Sequence, residues 1–418
     1  MVANFEGVSQ AEQEAIAYLR SPQAIRDRCD QLFELACQDQ LQHFRCDLSQ
    51  LEPTAAFVLQ VMQANYPDLQ VPFHSRWRHF DVGGVARVVQ LQQQLASLSP
   101  LEQARAKFDL AIVSVLLDAG AGAVWQYVEA DSGQVFRRSE GLAVASFQMF
   151  CQGLFSSHPD HPLQVDATGL QQLTETTLAQ GFQVTDENPL VGLEGRLALL
   201  QQLGQALHSH PQLFGETNPR PGYLVDYLAQ RTEQHKLAAS EVFAAVLQGL
   251  SEIWAGRVAI AGVNLGDVWA HSALPQAALG SNLVPFHKLS QWLTYSLLEP
   301  LQELGIEITG LDQLTGLAEY RNGGLCFDMG LIQAKHPNVT TQPHLPSSEV
   351  IVEWRALTVV LLDAIANTIR QTLNLTPQEL PLVKVLEGGT WAAGRAIAAE
   401  KRSGGTPPIQ IQSDGTVF

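Results

Sequence analysis

Apolar residues recur every three or four positions along most of the chain, which is the spacing of the buried face of an α-helix. The first such stretch runs from Gln10 to Ala64, with Ser9 before it and Ser21-Pro22 inside it as typical helix starts. Further helices are predicted over Val85–Leu95, Ala104–Leu117, Val144–Phe155, Leu170–Gly181, Gly195–His208, Val242–Ala255 and Ala356–Leu373.

Patterns typical of β-strands are rare. Leu325–Asp328 is predicted as a short strand that pairs with Val350–Glu353, and Pro407–Thr416 has a strand–turn pattern. No alternation of strands and helices, no linker and no internal repeat is visible. We therefore predict a mainly α fold, one large helical domain over residues 1–418 with a small β element. Residues 1–70 would be an N-terminal helical part and residues 71–418 the part that carries the site.

Composition narrows the class of protein. Hydrophobic residues are 46% of the 418 residues and charged residues 16%, a balance typical of a compact globular protein. The formal net charge of −17 argues against nucleic acid or an anionic membrane as a partner, because both bind basic surfaces. The chain has no apolar run of about 18 residues and no signal peptide pattern, so we expect no membrane span and a cytoplasmic location. Nothing in the sequence predicts the oligomeric state.

The stretch Ser114–Ser146 combines small residues with charged and aromatic ones. Ala119 to Ala123 are all Gly or Ala, and such residues allow a ligand to approach the backbone closely. We predict a small-molecule site here. The alternative is a close helix crossing with the charges on a solvated face. The predicted site residues of this stretch are Asp118, Trp125, Glu129, Arg138 and Glu140.

A second concentration of such residues lies in Pro72–Phe80, which is predicted as a loop opening onto the Gly83-Gly84 turn. Arg76 and His79 are its candidates, because guanidinium groups bind anions and aromatic rings stack on planar ligands. A surface loop whose arginines pair with carboxylates is the alternative.

The C-terminal half adds further candidates. Lys288 falls in the first turn of a predicted helix, where the helix dipole disfavours a cation, so a carboxylate or a bound phosphate is expected nearby. The alternative is a lysine that extends to solvent. Glu353 lies at the predicted junction of a strand and a helix, beside Arg355, and is a natural general base. Gly388-Gly389-Thr390 would offer free N–H groups to phosphate at a helix start.

The sequence lacks GxSxG, HExxH, GxGxxG and P-loop motifs, which leaves carboxylate chemistry on a small polar ligand. Carboxylates, aromatic rings and anion-binding arginines suit N-glycosidic hydrolysis. Glu353 is the predicted catalytic carboxylate, with Asp118 in reserve. We predict no metal, because the histidines and five cysteines lack ligand spacing, and no cofactor. The predicted substrate-binding residues are Arg76, His79, Trp125, Glu129, Arg138, Glu140, Lys288, Arg321, Asp328, Arg355, Trp391 and Arg395.

Five stretches between roughly Ser75 and Phe418 carry a family resemblance. They are SVLLDAGAG (114–122) with Trp125, RRSEGLAVASF (137–147), EYRNGGLCFDMG (319–330), VEWRALTVVLLD (352–363) and the tail GGTWAAGRAIA…PPIQIQSDGTVF (388–418). They resemble the uracil catabolism protein 4 family, a domain of unknown function found in fungi and bacteria. The resemblance implies a substrate that forms after the pyrimidine ring of a uridine nucleotide has been opened, such as ribosylurea or its phosphate. Hydrolysis of its N-glycosidic bond would give urea and a ribose species.

Two shorter stretches, FHKLSQ (286–291) and VIVEWRALTV (350–359), carry a second resemblance. They are similar to motifs of the queuosine-salvage nucleotide glycosidases, relatives of the helix-hairpin-helix DNA glycosylase fold. In those enzymes a lysine and an acidic residue before an aromatic-arginine pair serve the sugar. The resemblance implies these roles for Lys288 and Glu353, although Glu stands here where that family has Asp.

Two functional classes stay open. The first is a hydrolase of a ribosyl or nucleotide-like small molecule. The second is a non-catalytic protein that binds an unstable intermediate and delivers it to a partner enzyme. Release of urea by the purified protein alone would separate them.

Overall fold

The computed structural model describes residues 8–254 and 257–412 of the chain. In chain order its α-helices are α1 (Gln10–Leu19), α2 (Pro22–Cys37), α3 (Leu51–Asn65), α4 (Arg76–Phe80), α5 (Arg87–Leu95), α6 (Pro100–Leu116), α7 (Arg138–Cys151), α8 (Ala167–Gln172), α9 (Glu175–Gly181), α10 (Leu193–Ser209), α11 (Pro211–Phe214), α12 (Leu224–Ala229), α13 (Ala239–Leu250), α14 (Lys288–Glu303), α15 (Tyr320–Asp328), α16 (Asn338–Thr341), α17 (Glu349–Leu373), α18 (Leu382–Val385) and α19 (Trp391–Lys401). The chain is mainly α-helical, as predicted.

The strands are short and pair two by two. They are β1 (Phe44–Cys46), β2 (Tyr127–Val128), β3 (Val135–Phe136), β4 (Lys236–Ala238), β5 (Ala259–Ile260), β6 (Val263–Asn264), β7 (Val268–Ala270), β8 (Leu283–Pro285), β9 (Glu307–Thr309), β10 (Ile332–Ala334), β11 (Pro343–His344) and β12 (Gln410–Ile411). The pairs β1–β10, β2–β3, β5–β6 and β7–β8 are antiparallel, whereas β4–β9 and β11–β12 are parallel. The last residue of the predicted helix Val242–Ala255 and the end of the predicted tail strand lie outside the described residues.

The strands predicted over Leu325–Asp328 and Val350–Glu353 are wrong, because the first lies in α15 and the second in α17. The first half of α17 is buried on nearly every side, so its sequence is an almost unbroken apolar run. In such a run a helix and a buried strand look alike. The start of α15 is capped by Glu319, a residue type that signals a helix start less clearly than Ser, Thr, Asp or Asn.

The structure also corrects two local predictions. Arg76 to Phe80 of the predicted loop form the short helix α4, most of whose side chains are buried. The Gly388-Gly389-Thr390 segment lies in a π-helical turn, Leu386–Thr390, which continues α18 into α19. Since this segment is not a helix start, the predicted free N–H groups for phosphate are wrong. π-helical turns are frequent at functional sites.

Backbone contacts divide the described residues into two compact units, and each unit is built from separate segments of the chain. The first unit comprises residues 8–74, 257–291 and 310–412, and the second comprises residues 75–254 and 292–309. The boundary at residues 291 and 292 falls inside α14. The prediction of a single domain stays a prediction.

In the first unit α17 is the central helix, and α2, α3 and α15 pack against it. Its buried apolar residues extend from Val350 to Ile369. α15 also packs against α19, and β1 pairs with β10. The N-terminal helices are therefore part of the core of this unit.

In the second unit α6 is buried along almost its whole length and packs against α7. α8, α9 and α13 pack against α10. Asp109 of α6 is fully buried and accepts hydrogen bonds from Arg220 and from the amide of Gly222. α6 ends just before Asp118, as the sequence predicts. No helix of the part of the chain that the structure describes is long and apolar enough to span a membrane.

Candidate functional site

The buried carboxylate of Asp267 joins two stretches of the first unit that are far apart in sequence. Its Oδ1 and Oδ2 each accept a hydrogen bond of 2.7 Å from the Arg355 guanidinium. Oδ1 also accepts from Trp269 Nε1 at 2.7 Å, and Oδ2 from the amide of Lys288 at 3.1 Å. Burial alone would raise the pKa of Asp267, but the Arg355 charge outweighs burial and holds this pKa well below its ordinary value. A bidentate ion pair therefore fixes the first residue of α14.

The backbone just before Lys288 is held in an uncommon conformation. His287 has a φ of 45°, in the left-handed region that residues other than glycine rarely adopt. The amide of Phe286 donates to the carbonyl oxygen of Asp267, and the Arg355 guanidinium lies 4.1 Å from the centroid of the Phe286 ring. Strained backbone that its surroundings enforce is common at functional sites.

The charge of Lys288 acts on one buried carboxylate, that of Glu319. Glu319 is 9% exposed and caps α15, where it accepts the amides of Arg321 at 2.7 Å and Asn322 at 2.6 Å. Burial raises the pKa of Glu319 above its ordinary value. The amides of Arg321 and Asn322 and the charges of Lys288 and His74 each lower this pKa in opposition to burial.

His74 is oriented by a second carboxylate. Its Nδ1 lies 2.6 Å from Glu387 Oε2, and because a carboxylate accepts, Nδ1 carries the hydrogen. Glu387 lies in the π-helical turn, and the Trp391 ring that follows is 5.9 Å from the His74 ring, centroid to centroid. The guanidinium of Arg395, an exposed residue, lies 4.9 Å from the Trp391 ring centroid. We call His74, Lys288, Glu319, Glu387 and Trp391 the Lys288 cluster.

Two polar atoms near these residues in sequence have no hydrogen-bond partner among the described residues. One is Asn322 Oδ1, whose Nδ2 donates to the carbonyl of Leu317 at 3.0 Å. The other is Thr390 Oγ1, at the end of the π-helical turn. Both residues are fully buried, and a buried polar group without a partner costs free energy. Such atoms are candidates to meet a ligand.

Glu353 lies in the second turn of α17 and not at a strand–helix junction. It is 0% exposed, and its carboxylate accepts the amides of Gln42, His43 and Phe44 at 3.2, 3.0 and 3.1 Å. His271 Nε2 lies 3.5 Å from its Oε1. The carboxylate thus holds the segment that enters β1.

Two further predicted residues of this unit have protein partners. Asp328 accepts two hydrogen bonds from the Arg402 guanidinium, at 2.7 and 2.5 Å. Arg321 donates to the carbonyl oxygen of Gly405 at 2.7 Å and is 7% exposed. Both interactions tie α15 to the segment that follows α19.

In the second unit Arg76 and Asp118 meet, as part of what we call the Arg76 cluster (Arg76, Ser114, Asp118 and Ser139). The fully buried Arg76 donates from Nε to Ser114 Oγ at 2.8 Å and from Nη1 to Ser139 Oγ at 3.2 Å. Nη1 also lies 3.2 Å from Asp118 Oδ1, and Ser139 donates to Asp118 Oδ2 at 2.8 Å. Arg76 Nη2 has no hydrogen-bond partner within the described residues. Burial lowers the pKa of Arg76, and Asp118 opposes that shift.

Aromatic and strained residues accompany this cluster. The rings of Trp292 and His79 are 5.6 Å apart, and the Arg76 guanidinium lies 5.5 Å from the Trp292 ring centroid. Arg138, which is exposed and begins α7, has a φ of 54°. Glu140 is half-buried in the first turn of the same helix.

Trp125 and Glu129, also predicted to bind substrate, are packed inside the second unit. Trp125 is 1% exposed, and its Nε1 donates to the carbonyl of Phe182 at 2.9 Å. Glu129 accepts two hydrogen bonds of 2.6 Å from Arg87, whose donation lowers the pKa of Glu129. Both side chains therefore have partners within the protein, and Glu129 is buried and not on a solvated face as the alternative expected.

A family model described as "Protein of unknown function (DUF1688)" matches residues 18–418. The chain belongs to this family. Uracil catabolism protein 4 of Lachancea kluyveri is 39% identical over 437 residues, covering 96% of this chain and 99% of that protein. Protein urg3 of Schizosaccharomyces pombe is 42% identical over 413 residues, covering 97% of this chain and 99% of that protein. The resemblance to the uracil catabolism protein 4 family is thereby confirmed.

The DUF1688 chain brings together some of the predicted site residues within each unit. Lys288 and Arg355 meet through Asp267, and Arg76 meets Asp118 directly. We predict that Asp118, Trp125, Arg138, Lys288 and Glu353 surround one site, and this stays a prediction, since three belong to the second unit and two to the first. In the described part of the chain no three His, Cys, Asp or Glu side chains are grouped as ligands for a metal ion.

Sequence reasoning missed four residues of this DUF1688 protein that the geometry brings forward: His74, Asp267, Glu319 and Glu387. His74, Glu319 and Glu387 lie inside or beside stretches that the sequence singled out, whereas Asp267 does not. Glu319 begins the EYRNGG motif, but a predicted strand in place of α15 hid its role as a helix cap. His74 lies two residues before Arg76, and a loop prediction gave no reason to choose it over His79.

Proposed function

We propose that this chain hydrolyses the N-glycosidic bond of a small ribosyl compound, ribosylurea or its phosphate, in the breakdown of uracil. The printed name of the Lachancea kluyveri relative supports the pathway. The main structural support for this reaction is the buried ion pair of Asp267 and Arg355. This pair joins the two stretches that resemble nucleotide glycosidases and holds the first residue of α14.

The reaction needs a group that stabilises negative charge on the departing urea. The Lys288 ammonium suits this role, because a cation in a largely buried setting stabilises developing charge far more than it would in water. Its backbone is fixed by Asp267 and by the strained His287. A lysine whose backbone is fixed before the substrate binds needs little reorganisation during the reaction.

The remaining predicted residues are assigned by their contacts. Trp391 offers a ring against which a sugar face can pack, and Arg395 extends over that ring as a candidate for a substrate phosphate. We also propose that Asp118 and Arg76 contact a ligand. The burial of Glu353 and its three amide partners support a structural role for that carboxylate.

The test is release of urea by the purified chain with no partner protein present. Ribosylurea and its 5′-phosphate are supplied separately, and urea is measured with urease and a coupled ammonia assay. Lys288→Met, which keeps the length of the side chain and removes the charge, should lower kcat by about 100-fold or more. The matched control is Lys236→Met, since Lys236 is an exposed lysine that pairs with Glu307. That variant should keep wild-type turnover.

Other outcomes would decide against the proposal. Tight binding of either compound without urea release would favour a protein that delivers an intermediate. Equal kcat for wild type and Lys288→Met would remove the lysine from the chemistry.

A further inference from the structure

Glu319 differs from the other buried carboxylates of the first unit in what surrounds it. The carboxylates of Asp267, Glu353 and Asp328 are each bound by arginine or by three backbone amides. Glu319 instead accepts only two backbone amides, at the start of α15, and the charges of Lys288 and His74 act on it. We propose that Glu319 is the catalytic carboxylate of this chain and acts with Lys288 on the glycosidic bond. The inference rests on the proposed hydrolase function.

The helix start fixes the direction of the Glu319 side chain. Each carboxylate oxygen accepts one backbone amide, Oε2 from Arg321 and Oε1 from Asn322. Each oxygen therefore keeps a second lone pair for a water molecule or a sugar hydroxyl. On the same turn, Asn322 is held through its Nδ2, while its Oδ1 has no partner within the described residues. A fixed carboxylate beside a buried, unsatisfied amide oxygen is suited to a polar ligand.

The charges around Glu319 suit a base that works near neutral pH. The charges of Lys288 and His74 act on the carboxylate, and the amides of Arg321 and Asn322 donate to it. Burial raises its pKa against these groups, so the ionised form is a better proton acceptor than an exposed glutamate.

The balanced reaction uses both side chains. The oxygen of a water molecule attacks C1′ of the ribose and transfers a proton to the Glu319 carboxylate. The C1′–N bond breaks, its electron pair goes to the urea nitrogen, and that nitrogen takes a proton from the Lys288 ammonium. Glu319 then returns its proton to Lys288. The net change is ribosylurea plus water to ribose plus urea, with no oxidant, reductant or metal required.

Glu319→Ser tests the assignment, because serine is a good helix cap and keeps a hydrogen bond to the α15 amides while removing the carboxylate. The matched control is Asp166→Ser in the second unit. Asp166 is also a fully buried carboxylate that caps a helix, α8, and accepts two backbone amides, of Ser157 and Gly169, at 2.8 Å. Kinetics, substrate affinity and thermal unfolding are measured for both variants.

We expect Glu319→Ser to lower kcat by about 100-fold or more, with substrate affinity within a few-fold of wild type. Added formate, which can occupy the vacated space, should restore part of the turnover. Asp166→Ser should lower the thermal stability about as much as Glu319→Ser does, and should leave kcat at the wild-type value. In the wild type, kcat should decrease on the acidic side of its pH profile, at a pH above the ordinary glutamate pKa, because the ionised form of Glu319 is required.

The substitution Glu353→Gln distinguishes the role of Glu353 from that of Glu319. It should lower the melting temperature by several degrees, because an amide NH₂ would face the N–H groups of residues 42–44, and leave kcat of the folded protein near normal. Normal kcat in Glu319→Ser, or a large loss of kcat in Glu353→Gln, would overturn the assignment while the hydrolase proposal stands. If the wild type releases no urea, the hydrolase proposal itself fails and the role of Glu319 fails with it.

Discussion

At the scale of single residues, His287 combines burial with a strained backbone directly before Lys288. It is 1% exposed, and its Nε2 lies 2.8 Å from the carbonyl oxygen of Leu19. Burial lowers its pKa to about 4. The Leu19 carbonyl and Asp267 oppose this shift, whereas Arg20 and Arg355 reinforce it. The folded protein therefore keeps this ring neutral at pH values where the unfolded chain would protonate it.

This difference predicts a loss of stability in mild acid. The unfolded chain takes up a proton at His287 near the ordinary pKa of 6.5, and the folded chain only near about 4. The stability present above pH 6.5 is thus lost progressively as pH falls toward 4, by about 3 kcal/mol from this residue alone. His287→Asn removes the titrating ring and keeps a residue that tolerates positive φ. Urea unfolding from pH 7.5 to 4 should show a shallower pH dependence in the variant.

The control for this measurement is His235→Asn. His235 also has a positive φ, 62°, but it is exposed. The wild-type pH dependence should persist in that variant. A wild-type curve retained in His287→Asn would mean that other groups, chiefly the buried carboxylates, account for the acid sensitivity.

At the scale of elements, helices with an exposed face or a clear cap were predictable, whereas α15 and the start of α17 were not. α1 to α3, α6 and α10 alternate buried and exposed faces or carry clear caps, such as Ser9, Ser21 and Ser99. α15 and the start of α17 carry neither signal, because almost every side chain there is buried. The predicted strand–helix junction at Glu353 failed for this reason, and Glu319 was missed as a cap.

The packing of α15 on α19 depends on a glycine and predicts a stability effect. A Cβ atom at Gly394 would lie 2.4 Å from the backbone oxygen of Arg321, a contact that only a shift of one helix could relieve. Gly394→Ala should therefore lower the free energy of unfolding by about 1–3 kcal/mol, despite the higher helix propensity of alanine. Because Arg321 follows Glu319 by two residues, kcat should fall as well. Denaturant unfolding and the urea-release assay measure the two effects.

Gly195→Ala is the matched helical control. A Cβ atom at Gly195, in α10, meets no heavy atom within 4 Å. The change should raise the free energy of unfolding by about 0.5–1 kcal/mol through helix propensity alone. Equal effects of the two substitutions would contradict the close approach of α15 and α19.

At the scale of the whole molecule, the partners that join distant segments of the chain were not predictable from the sequence. Lys288 was predicted from its place at a helix start and Arg355 as a neighbour of Glu353, and the structure joins them through Asp267, which lies 21 residues before Lys288 and 88 before Arg355. No periodicity or spacing reveals such a partner. The two interleaved units were also invisible, because contacts between distant segments leave no local pattern.

The interleaving means that residues 8–70 are an integral part of the first unit. α2 and α3 pack on the central helix α17, and α3 also packs on the π-helical turn that carries Glu387. The amides of residues 42–44 satisfy the Glu353 carboxylate, and β1 pairs with β10. Without these residues α17 would expose a broad apolar face and Glu353 would lose its three amide partners, so we expect the first unit to lose most of its stability.

We therefore expect the fragment 71–418 to be insoluble, or to lack a cooperative unfolding transition, when it is produced alone. Co-expression of residues 1–70 as a separate chain should restore solubility, because every contact that is lost can re-form between the two pieces. Solubility, helical circular dichroism and a single thermal transition are the measurements, with the intact chain as reference. A fragment 71–418 that unfolds cooperatively and binds the substrate would show that the N-terminal helices are an appendage and that Glu353 does not depend on residues 42–44.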